Sequence, residues 1–275
     1  MDNLKFSVSM CVYKNDNPEW FIVAVDSILQ QTLKPDEVVL VVDGPISEEL
    51  NEAIRQYESL DCFHVIRFDE NQGHGKARNA GLNACSNELV AIMDSDDISL
   101  PERFEKQISF FTEDNSLDIV GGNITEFIDS PVNIIGKRSV PIDDSSIKKY
   151  MKKRCPMNLV SVMFKKTSVE KTGGFIDWYC EEDYYLWLRM AQMNMKFANC
   201  NEVLVNVRVG KEMYSRRGGW RYFKSEARLQ RYMLKNKIIG FGTYCSNLVK
   251  RFIVQVLLPN KLRGWVFRKF AREKI

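Results

Sequence analysis

Short apolar runs alternate with segments of helical periodicity along the first half of this chain. The runs at residues 38–42 and 89–93 contain no polar interruption, which is typical of strands buried on both faces. Pro18, Ser47 and Pro101 each stand where a helix can begin, because proline suits the first helical turn and serine caps free N–H groups. Further strands are predicted at residues 6–13, 62–68 and 116–127.

The alternation of strands and helices predicts an α/β fold with a mostly parallel central sheet covered by helices. The second half of the chain is predicted to continue with a helix at residues 143–154, a strand at 159–164 and a helix from Glu181. The sequence shows no internal repeat and no low-complexity linker. The composition, with 45% hydrophobic and 27% charged residues, suits a folded protein with a sizeable core.

Acidic residues follow two of the predicted buried strands. Asp43 comes directly after residues 38–42, and Asp94, Asp96 and Asp97 follow residues 89–93. Because parallel strands end at the same edge of a sheet and ligands bind there, we expect these carboxylates to face one crevice. Clustered carboxylates repel one another, and a divalent cation would turn that repulsion into attraction. The alternative for each segment taken alone is a solvated, aspartate-rich turn.

A glycine-bearing turn at residues 71–81 follows the third strand and enters a helix. Lys76 and Arg78 lie in the first turn of that helix, where free N–H groups favour phosphate. Gly73 and Gly75 loosely match a dinucleotide fingerprint, but the first strand–helix turn, where that motif belongs, has no glycine. Anion binding is therefore the predicted use of this turn, and a solvated helix start is the alternative.

Charge is distributed unevenly along the 275 residues, although the formal net charge is only +3. Residues 208–275 contain 18 Lys and Arg against three Asp and Glu, so an acidic body precedes a basic tail. Tails of that sign usually meet phosphates or anionic lipid. The seven scattered cysteines form no C-x-x-C pair, and the first residues include no apolar signal segment. Both features favour a reduced, cytoplasmic compartment.

Eight pieces of the sequence occur in an order that resembles a family-2 glycosyltransferase with the GT-A fold. They are SVSMCVYKN near the start, SILQQT at 27–32, VVDG at 41–44, N-x-G-x-x-x-A-R-N-x-G at 71–81, MDSDD at 93–97, LPERFEKQ at 100–107, GGF at 173–175 and EEDYYLWLRM at 181–190. In the tail, YSRRGGWRYFKSE and LPNKLRGW resemble the bacterial branch that builds capsule, exopolysaccharide and O-antigen. The resemblance implies a GT-A catalytic domain over residues 1–210, with a nucleotide-sugar-binding half (1–127) and an acceptor half (128–210). A basic helical extension then covers residues 211–275.

The resemblance also assigns donor-binding roles to residues at the strand ends. Asp43 would accept a hydrogen bond from the uracil of a UDP-sugar, and Asp94 would reach the ribose. Asp96 would bind Mn²⁺ or Mg²⁺, with Asp94 as a second candidate metal ligand. Ser95 lies between these two acids and belongs to the same donor site. Tyr13, at the end of the first strand, would line the base pocket or lie in the core.

Positive charge near the donor diphosphate is expected from two places. Lys76 and Arg78 would contribute it from the glycine-bearing turn. Arg216 and Arg217, which precede two glycines, form a hypothetical mobile clamp over the diphosphate.

The helix from Glu181 supplies the predicted catalytic residues. Acids in the first turn of a helix favour its dipole and need no further role. The resemblance, however, matches Asp183 to the catalytic base that accepts the proton of the attacking sugar hydroxyl. Glu182 is expected to orient or cap, and it stays open as an alternative base. Asn158 and Arg189 are expected to help build the pocket.

Lys and Arg recur on one face of a predicted helix in the tail, at positions 224, 228, 231 and 235. A second stripe, of apolar residues at positions 262, 265, 266 and 270, is flanked by further basic residues. Basic amphipathic helices lie in membrane interfaces, so a peripheral position on the inner face of the cell membrane is predicted. The alternative is an extension packed on the catalytic body with a solvated basic face.

The resemblance thus implies an inverting, metal-dependent enzyme that uses a UDP-sugar donor and a polyprenyl-diphosphate-linked sugar acceptor. A hexose or N-acetylhexosamine, with galactose preferred, would be moved in cell-surface polysaccharide biosynthesis. Nucleic acid is not an expected partner. The alternatives are a transferase that uses a dTDP-sugar, such as a rhamnosyltransferase, a sugar nucleotidyltransferase, and a non-enzymatic binder that uses the basic tail.

Overall fold

A computed structural model describes residues 4–210, 218–259, 262–263 and 272–273 of the chain. Its strands are β1 (Phe6–Val12), β2 (Glu37–Val42), β3 (Phe63–Arg67), β4 (Leu89–Asp94), β5 (Ile98–Ser99), β6 (Ile119–Phe127), β7 (Ile134–Arg138), β8 (Met163–Lys165) and β9 (Phe197–Arg208). Its helices are α1 (Pro18–Leu29), α2 (Glu48–Arg55), α3 (His74–Ala84), α4 (Arg103–Glu113), α5 (Asp144–Met151), α6 (Lys166–Lys171), α7 (Glu182–Gln192), α8 (Gly219–Lys235) and α9 (Phe241–Phe252). A π-helical turn (Ile253–Leu257) follows α9.

The helix starts predicted near residues 18, 47 and 143 are confirmed by their caps, whereas α4 begins at Arg103, two residues after Pro101, without a side-chain cap. The Asn17 side chain accepts from the N–H groups of Glu19 and Trp20, and Pro18 occupies the first position of α1. Ser47 caps α2, and Asp143 caps α5. Each cap satisfies N–H groups that the first helical turn leaves without a partner.

The sheet has the strand order β3-β2-β1-β4-β8-β6-β9-β5, and β7 pairs with β6. The predicted α/β class is confirmed, and the strands β3, β2, β1 and β4 are parallel as expected. Beyond β4 the pairing is mixed, because β8 is antiparallel to both of its neighbours while β6 and β9 are parallel. All six residues of β2 are buried, which explains the uninterrupted apolar run.

The second half differs from the sequence-based expectation in several elements, and the short elements β7 and α6 were not predicted. Residues 159–161, predicted as strand, form a 3₁₀ turn, and β8 begins only at Met163. The turn forms because the Ser161 hydroxyl bonds the backbone of Gly122, and Asn158 Nδ2 donates to the Gly122 carbonyl at 2.8 Å. The 12-residue strand β9 was not predicted, and it carries Arg208 toward the acidic edge of the sheet.

The described helices of the C-terminal part pack on the body. Leu229 and Met233 of α8 belong to the same buried apolar cluster as Trp187 of α7. The basic stripe at positions 224, 228, 231 and 235 is exposed, and Arg228 lies over the Trp178 ring at 4.4 Å. In the described ranges, no helix is both long and apolar enough to cross a membrane. The boundary at residue 210 stays a prediction.

Arg103 and Gln107 of α4 are fully buried behind the strand that ends in Asp94. Arg103 donates to Gln107 Oε1 at 3.1 Å and to the Ile92 carbonyl at 2.8 Å, and Gln107 donates to the Val120 carbonyl at 2.8 Å. Burial lowers the pKa of the Arg103 guanidinium to about 9, against the opposing charge of Asp97. These side chains tie the helix to the centre of the sheet and hold the position of β4.

Removing this buried guanidinium should destabilise the protein strongly. Arg103→Ala would leave buried acceptors without donors, so we expect the free energy of unfolding to fall by about 3 kcal/mol. Urea unfolding followed by circular dichroism measures the loss. Glu113→Ala, an exposed change on the same helix, is the control and should change stability by less than about 0.5 kcal/mol. A loss below about 1 kcal/mol for Arg103→Ala would contradict this account.

Candidate active site

A cavity of about 450 Å³ opens at the carboxyl ends of β1, β2 and β4 and at the start of α3. The register of the sheet explains why predicted site residues meet there. Cys11 of β1 pairs with both Val41 of β2 and Asp94 of β4, so these strands end side by side. The cavity is lined by Cys11, Val12, Tyr13, Asp16, Asp43, Asn71, Gly73, His74, Ala77, Asp94, Ser95 and Asp96.

Asp43 is 5% exposed, and its carboxylate organises the loop that enters α3. It accepts hydrogen bonds from Asn71 Nδ2 at 2.9 Å and from the N–H groups of Gln72 at 2.7 Å and Gly73 at 3.1 Å. Gly44 permits this approach: its φ is +86°, and a Cβ there would lie 2.5 Å from the Asn71 nitrogen. Since a carboxylate offers about four acceptor positions, Asp43 keeps room for one further donor.

Four carboxylates crowd the end of β4, namely Asp16, Asp94, Asp96 and Asp97. The Ser95 hydroxyl donates to Asp16 at 3.0 Å and so holds this residue, which the sequence analysis did not single out, beside the others. Burial, followed by the charges of Asp94 and Asp16, raises the pKa of Asp96 to about 6. Burial and the same crowding also raise the pKa values of Asp16 and Asp97.

Two arginines offset this negative charge. Arg78 is 4% exposed and donates to Asp94 at 3.1 Å, so the predicted cation of the glycine-bearing turn reaches the acidic cluster. The backbone N–H of Arg208 donates to Asp97 at 2.9 Å, and its Nε donates to the Asp96 carbonyl at 3.1 Å. Arg208 also lies between the Trp20 and Phe127 rings, at 4.5 Å and 4.7 Å from their centroids.

Other predicted donor residues have different positions. Lys76 is exposed and does not line the cavity. Its role near a diphosphate stays a prediction. Tyr13 is 39% exposed and lines the cavity, so the alternative of a core tyrosine is wrong. Arg216 and Arg217 lie outside the described residues.

A second cavity of about 1090 Å³ adjoins the first and shares four wall residues with it: Tyr13, Asp16, Asp94 and Asp96. Asp183 and Asn158 line this second cavity. Asp94 and Asp96 therefore stand between a cavity that holds Asp43 and a cavity that holds Asp183. Arg189 is absent from the walls of both cavities, and instead it donates to the carbonyls of Thr172 at 2.6 Å and Gly174 at 2.7 Å. It supports the glycine turn before α7.

Asp183 lies in the first turn of α7, and its Oδ1 accepts from the backbone N–H of Tyr184 at 2.6 Å. The Cys155 thiol lies 3.7 Å from Oδ2. Removal from water and the charge of Glu182 raise the pKa of the Asp183 carboxyl to about 6. Such a group is ionised at neutral pH and is a stronger base than an ordinary aspartate.

Glu182 is in a different electrostatic environment. Burial acts to raise the pKa of Glu182, but a hydrogen bond with His74 and the positive charge of Arg78 outweigh it and lower the value. His74 Nδ1 lies 3.6 Å from Glu182 Oε1. Adjacent carboxyls with pKa values pushed in opposite directions suit different roles, and the raised one suits the base.

A buried polar network lies behind the start of α7. Glu181 is 4% exposed, and burial and the charges of Glu226 and Asp183 raise its pKa well above the usual range. Arg251 of α9 pairs with Glu226 of α8 at 2.8 Å and opposes that shift. The C-terminal helices therefore contribute charges next to the residues that begin α7.

The donor set around Asp94 and Asp96 fits a hard divalent ion. In the described part of the chain, no group of three or more His, Cys, Asp or Glu is arranged to hold a metal alone. Mg²⁺ and Mn²⁺ are commonly bound by one or two carboxylates plus phosphate oxygens of a substrate. Burial and the negative charges of Asp94 and Asp16 raise the pKa of Asp96, and a cation would offset that negative charge.

Sequence reasoning missed several residues that build this site. Asp16 lies four residues beyond the end of β1, so it lacks the position directly after a strand that marked Asp43. Arg208 reaches the site along β9, whose alternating segment VLVNVR at residues 203–208 was a usable strand signal. Cys155 and His74 had no signal, because only tertiary packing places them against Asp183 and Glu182.

Comparison with known proteins identifies the family. The model named glycosyl transferase family 2 matches residues 7–169, more than half of the chain. The chain is 36% identical to the UDP-Gal:alpha-D-GlcNAc-diphosphoundecaprenol beta-1,3-galactosyltransferase of Escherichia coli, over 98% of each protein. It is also 36% identical to the amylovoran biosynthesis glycosyltransferase AmsE of Erwinia amylovora, over 96% of this chain and 98% of that protein.

Solved structures show the same fold. A mannosyltransferase from Pyrobaculum calidifontis, in complex with GDP-Man and Mn²⁺, superposes with a TM-score of 0.62 at 16% identity, over 94% of this chain and 71% of that one. The predicted GT-A fold is therefore confirmed. The family also favours sugar transfer over the nucleotidyltransferase and the non-enzymatic binder considered above. On the family match and the two full-length relatives, this chain belongs to glycosyl transferase family 2.

Proposed function

We propose that the protein is an inverting, metal-dependent galactosyltransferase. It moves galactose from UDP-galactose to a sugar carried on undecaprenyl diphosphate, in cell-surface polysaccharide biosynthesis. The main observation in support is that Asp94 and Asp96 line both the cavity that contains Asp43 and the cavity that contains Asp183. The choice of donor and acceptor is supported by the full-length likeness to the Escherichia coli relative.

The first cavity is the proposed donor site. Asp43 keeps an acceptor position for the uracil N–H, and Tyr13 lies in the same wall to contact the base. Asp94 reaches the ribose while Arg78 holds its carboxylate in place. Asp96, with Asp94 as a second ligand, would hold Mn²⁺ or Mg²⁺, and such an ion would supply positive charge beside the departing diphosphate. Metal use is supported by the Mn²⁺ in the similar mannosyltransferase structure.

The second cavity is the proposed acceptor site. An acceptor hydroxyl there is a weak nucleophile until a base takes its proton, and Asp183 accepts that proton at a carboxylate oxygen. The attack comes from the cavity opposite the leaving diphosphate, so the anomeric carbon inverts. An α-linked donor then gives a β-linked product, which agrees with the linkage in the name of the Escherichia coli relative.

The proposed place of action is the inner face of the cell membrane. A carrier lipid keeps its diphosphate at the bilayer surface, so an enzyme that uses it gains from binding that surface. Eight Lys and Arg occur in residues 218–259 against one acid, Glu226, which pairs with Arg251. This excess of positive charge favours binding to anionic lipid.

Transfer and its dependence on Asp183 test the proposal directly. With Mn²⁺, the protein should form a β-linked product from UDP-galactose and GlcNAc-diphospholipid. Asp183→Asn should lower turnover by about 10²-fold or more, because the proton acceptor is lost, while UDP affinity stays within about twofold. Thin-layer chromatography of the lipid product measures transfer. Near-normal turnover by Asp183→Asn would show that another residue is the base. Faster transfer from dTDP-rhamnose than from UDP-galactose would favour dTDP-rhamnose as the donor.

The Asp96 carboxylate should govern metal-dependent donor binding. Asp96→Ala removes the main metal ligand, so we expect the affinity for UDP in the presence of Mn²⁺ to fall by about tenfold or more. Isothermal titration calorimetry with and without Mn²⁺ measures the difference. The exposed Asp61→Ala variant is the control. Equal Mn²⁺-dependent affinity for UDP in Asp96→Ala and wild type would remove Asp96 from the metal site.

Neighbouring charge should set the acid limb of the pH profile of kcat, measured at saturating UDP-galactose and Mn²⁺ so that the titration of Asp96 in donor binding does not contribute. Asp183 must be ionised to accept a proton, and its pKa is raised to about 6, so kcat should fall as the pH drops below about 6. Glu182→Gln removes a negative charge that raises this pKa, and the acid limb should therefore move to lower pH. The exposed Glu113→Gln variant should leave the limb unchanged. Complete loss of activity in Glu182→Gln at every pH would identify Glu182 as the base.

A further inference from the structure

The helix α9 and the π-helical turn after it bury polar side chains. Asn247 and Gln255 are 5% and 4% exposed, and the Arg251 side chain is 13% exposed. These three residues recur at intervals of four, so they share one face of the helix. That face is turned toward the protein.

The opposite face of the same helix is apolar and exposed. Val249, Ile253 and Leu257 are 58%, 44% and 60% exposed, and Phe241 at the start of α9 is 71% exposed. Val249 and Ile253 each stand two positions from a buried polar residue, which is about 200° around a helix. The usual arrangement, with apolar residues inward and polar residues outward, is therefore reversed.

Specific hydrogen bonds hold the helix in this orientation. Asn247 Nδ2 donates to Gln230 Oε1 at 2.8 Å and to the Lys152 carbonyl at 3.0 Å. Arg251 pairs with Glu226, and Gln255 donates to the same carboxylate. Rotating the helix to bury its apolar stripe would leave these polar groups without partners, which is unfavourable.

Aromatic residues extend the exposed stripe onto α8. Trp220 is 57% exposed, and its ring lies 5.8 Å from the Phe252 ring, which in turn lies 5.5 Å from that of Phe223. Five exposed residues therefore form what we name the apolar ridge: Trp220, Phe241, Val249, Ile253 and Leu257. Tryptophan suits a membrane interface, because its ring is apolar and its N–H stays near water.

The charges beside the ridge decide between possible occupants. Exposed Arg221, Lys224 and Lys250 belong to the same helices, and Glu226, the one acid of residues 218–259, faces inward. A second copy of the chain would bring these positive surfaces together and be repelled. An anionic bilayer complements both features, because its headgroups attract the cations and its acyl region accepts the apolar side chains.

We propose that the apolar ridge inserts into the interface of an anionic membrane and docks the enzyme there. The ridge consists of residues other than the two stripes predicted from sequence, although Lys224 of the basic stripe lies on the same helix; residues 265, 266 and 270 of the second stripe lie outside the described residues. The docking rests on the reversed polarity of α9. Its use in reaching a lipid-linked acceptor rests on the proposed function.

Vesicle flotation with full-length protein tests the docking. Wild-type protein should float with phosphatidylglycerol-containing vesicles, float less with pure phosphatidylcholine, and lose part of its binding at high salt. The combined variant Val249→Ser, Ile253→Ser, Leu257→Ser should bind anionic vesicles about tenfold or more weakly. A matched triple variant, Val23→Ser, Val132→Ser, Ile142→Ser, removes exposed apolar side chains elsewhere and should bind like wild type.

Three results would overturn the docking proposal. The first is that the wild type does not float with anionic vesicles, and the second is that the ridge variant floats as well as the wild type. The third is that light scattering shows a dimer for the wild type and a monomer for the ridge variant. The last result would assign the ridge to a second copy. Far-ultraviolet circular dichroism should show the same helix content in all three proteins, because the substituted side chains are exposed.

Transfer assays separate this inference from the proposed function. With a short-chain, water-soluble acceptor, the ridge variant should keep turnover within about twofold of wild type, because the ridge lies outside both cavities. With acceptor embedded in anionic vesicles, its turnover should fall in parallel with flotation. If the wild type and both variants float as expected but none transfers sugar, the proposed function alone is wrong. If the ridge variant turns over the vesicle-embedded acceptor as fast as the soluble acceptor, the role of docking in reaching the acceptor alone is wrong.

Discussion

Repulsion among the carboxylates at the end of β4 is the constraint on which the site depends. Asp94, Asp96 and Asp97 follow a strand whose other residues are buried, and the Ser95 hydroxyl holds Asp16 against them. Such crowding is tolerated because guanidinium groups from three separate elements stand close by. They are Arg78 of α3, Arg103 of α4 and Arg208 of β9. The remaining negative charge gives a divalent ion and a diphosphate a reason to bind.

The same constraint explains the layout of the sheet. Its parallel half brings Asp43 and the Asp94 cluster to one edge, because the ends of β1, β2 and β4 are in register. The mixed half returns the chain so that β9 delivers Arg208 to that edge and α7 presents Asp183 across it. Donor and acceptor chemistry can then share one acidic wall, although the residues involved are far apart in sequence.

The C-terminal helices connect the site to the surface of the molecule. Arg251 and Glu226 form an ion pair beside Glu181, which directly precedes the two acids at the start of α7. Because this polar network lies on the inward side of α9, the apolar residues on the opposite side are exposed. One helix thus faces the charged groups behind α7 with one side and solvent with the other. A partner that covers the exposed side would stabilise the arrangement.

The sequence by itself determined most elements of the first half of the chain and the edge of the sheet where chemistry occurs. Uninterrupted apolar runs, helix caps and acids at strand ends are local signals, and they correctly placed β1 to β4, α1 to α4 and Asp43, Asp94 and Asp96. Only the tertiary structure decided which distant side chains complete the site. Cys155 approaches Asp183 and Arg208 approaches Asp97 through packing and strand order, which no local pattern encodes. Tertiary structure also decided which face of α9 is buried, because hydrogen bonds to other elements outweighed the hydrophobic pattern of the helix itself.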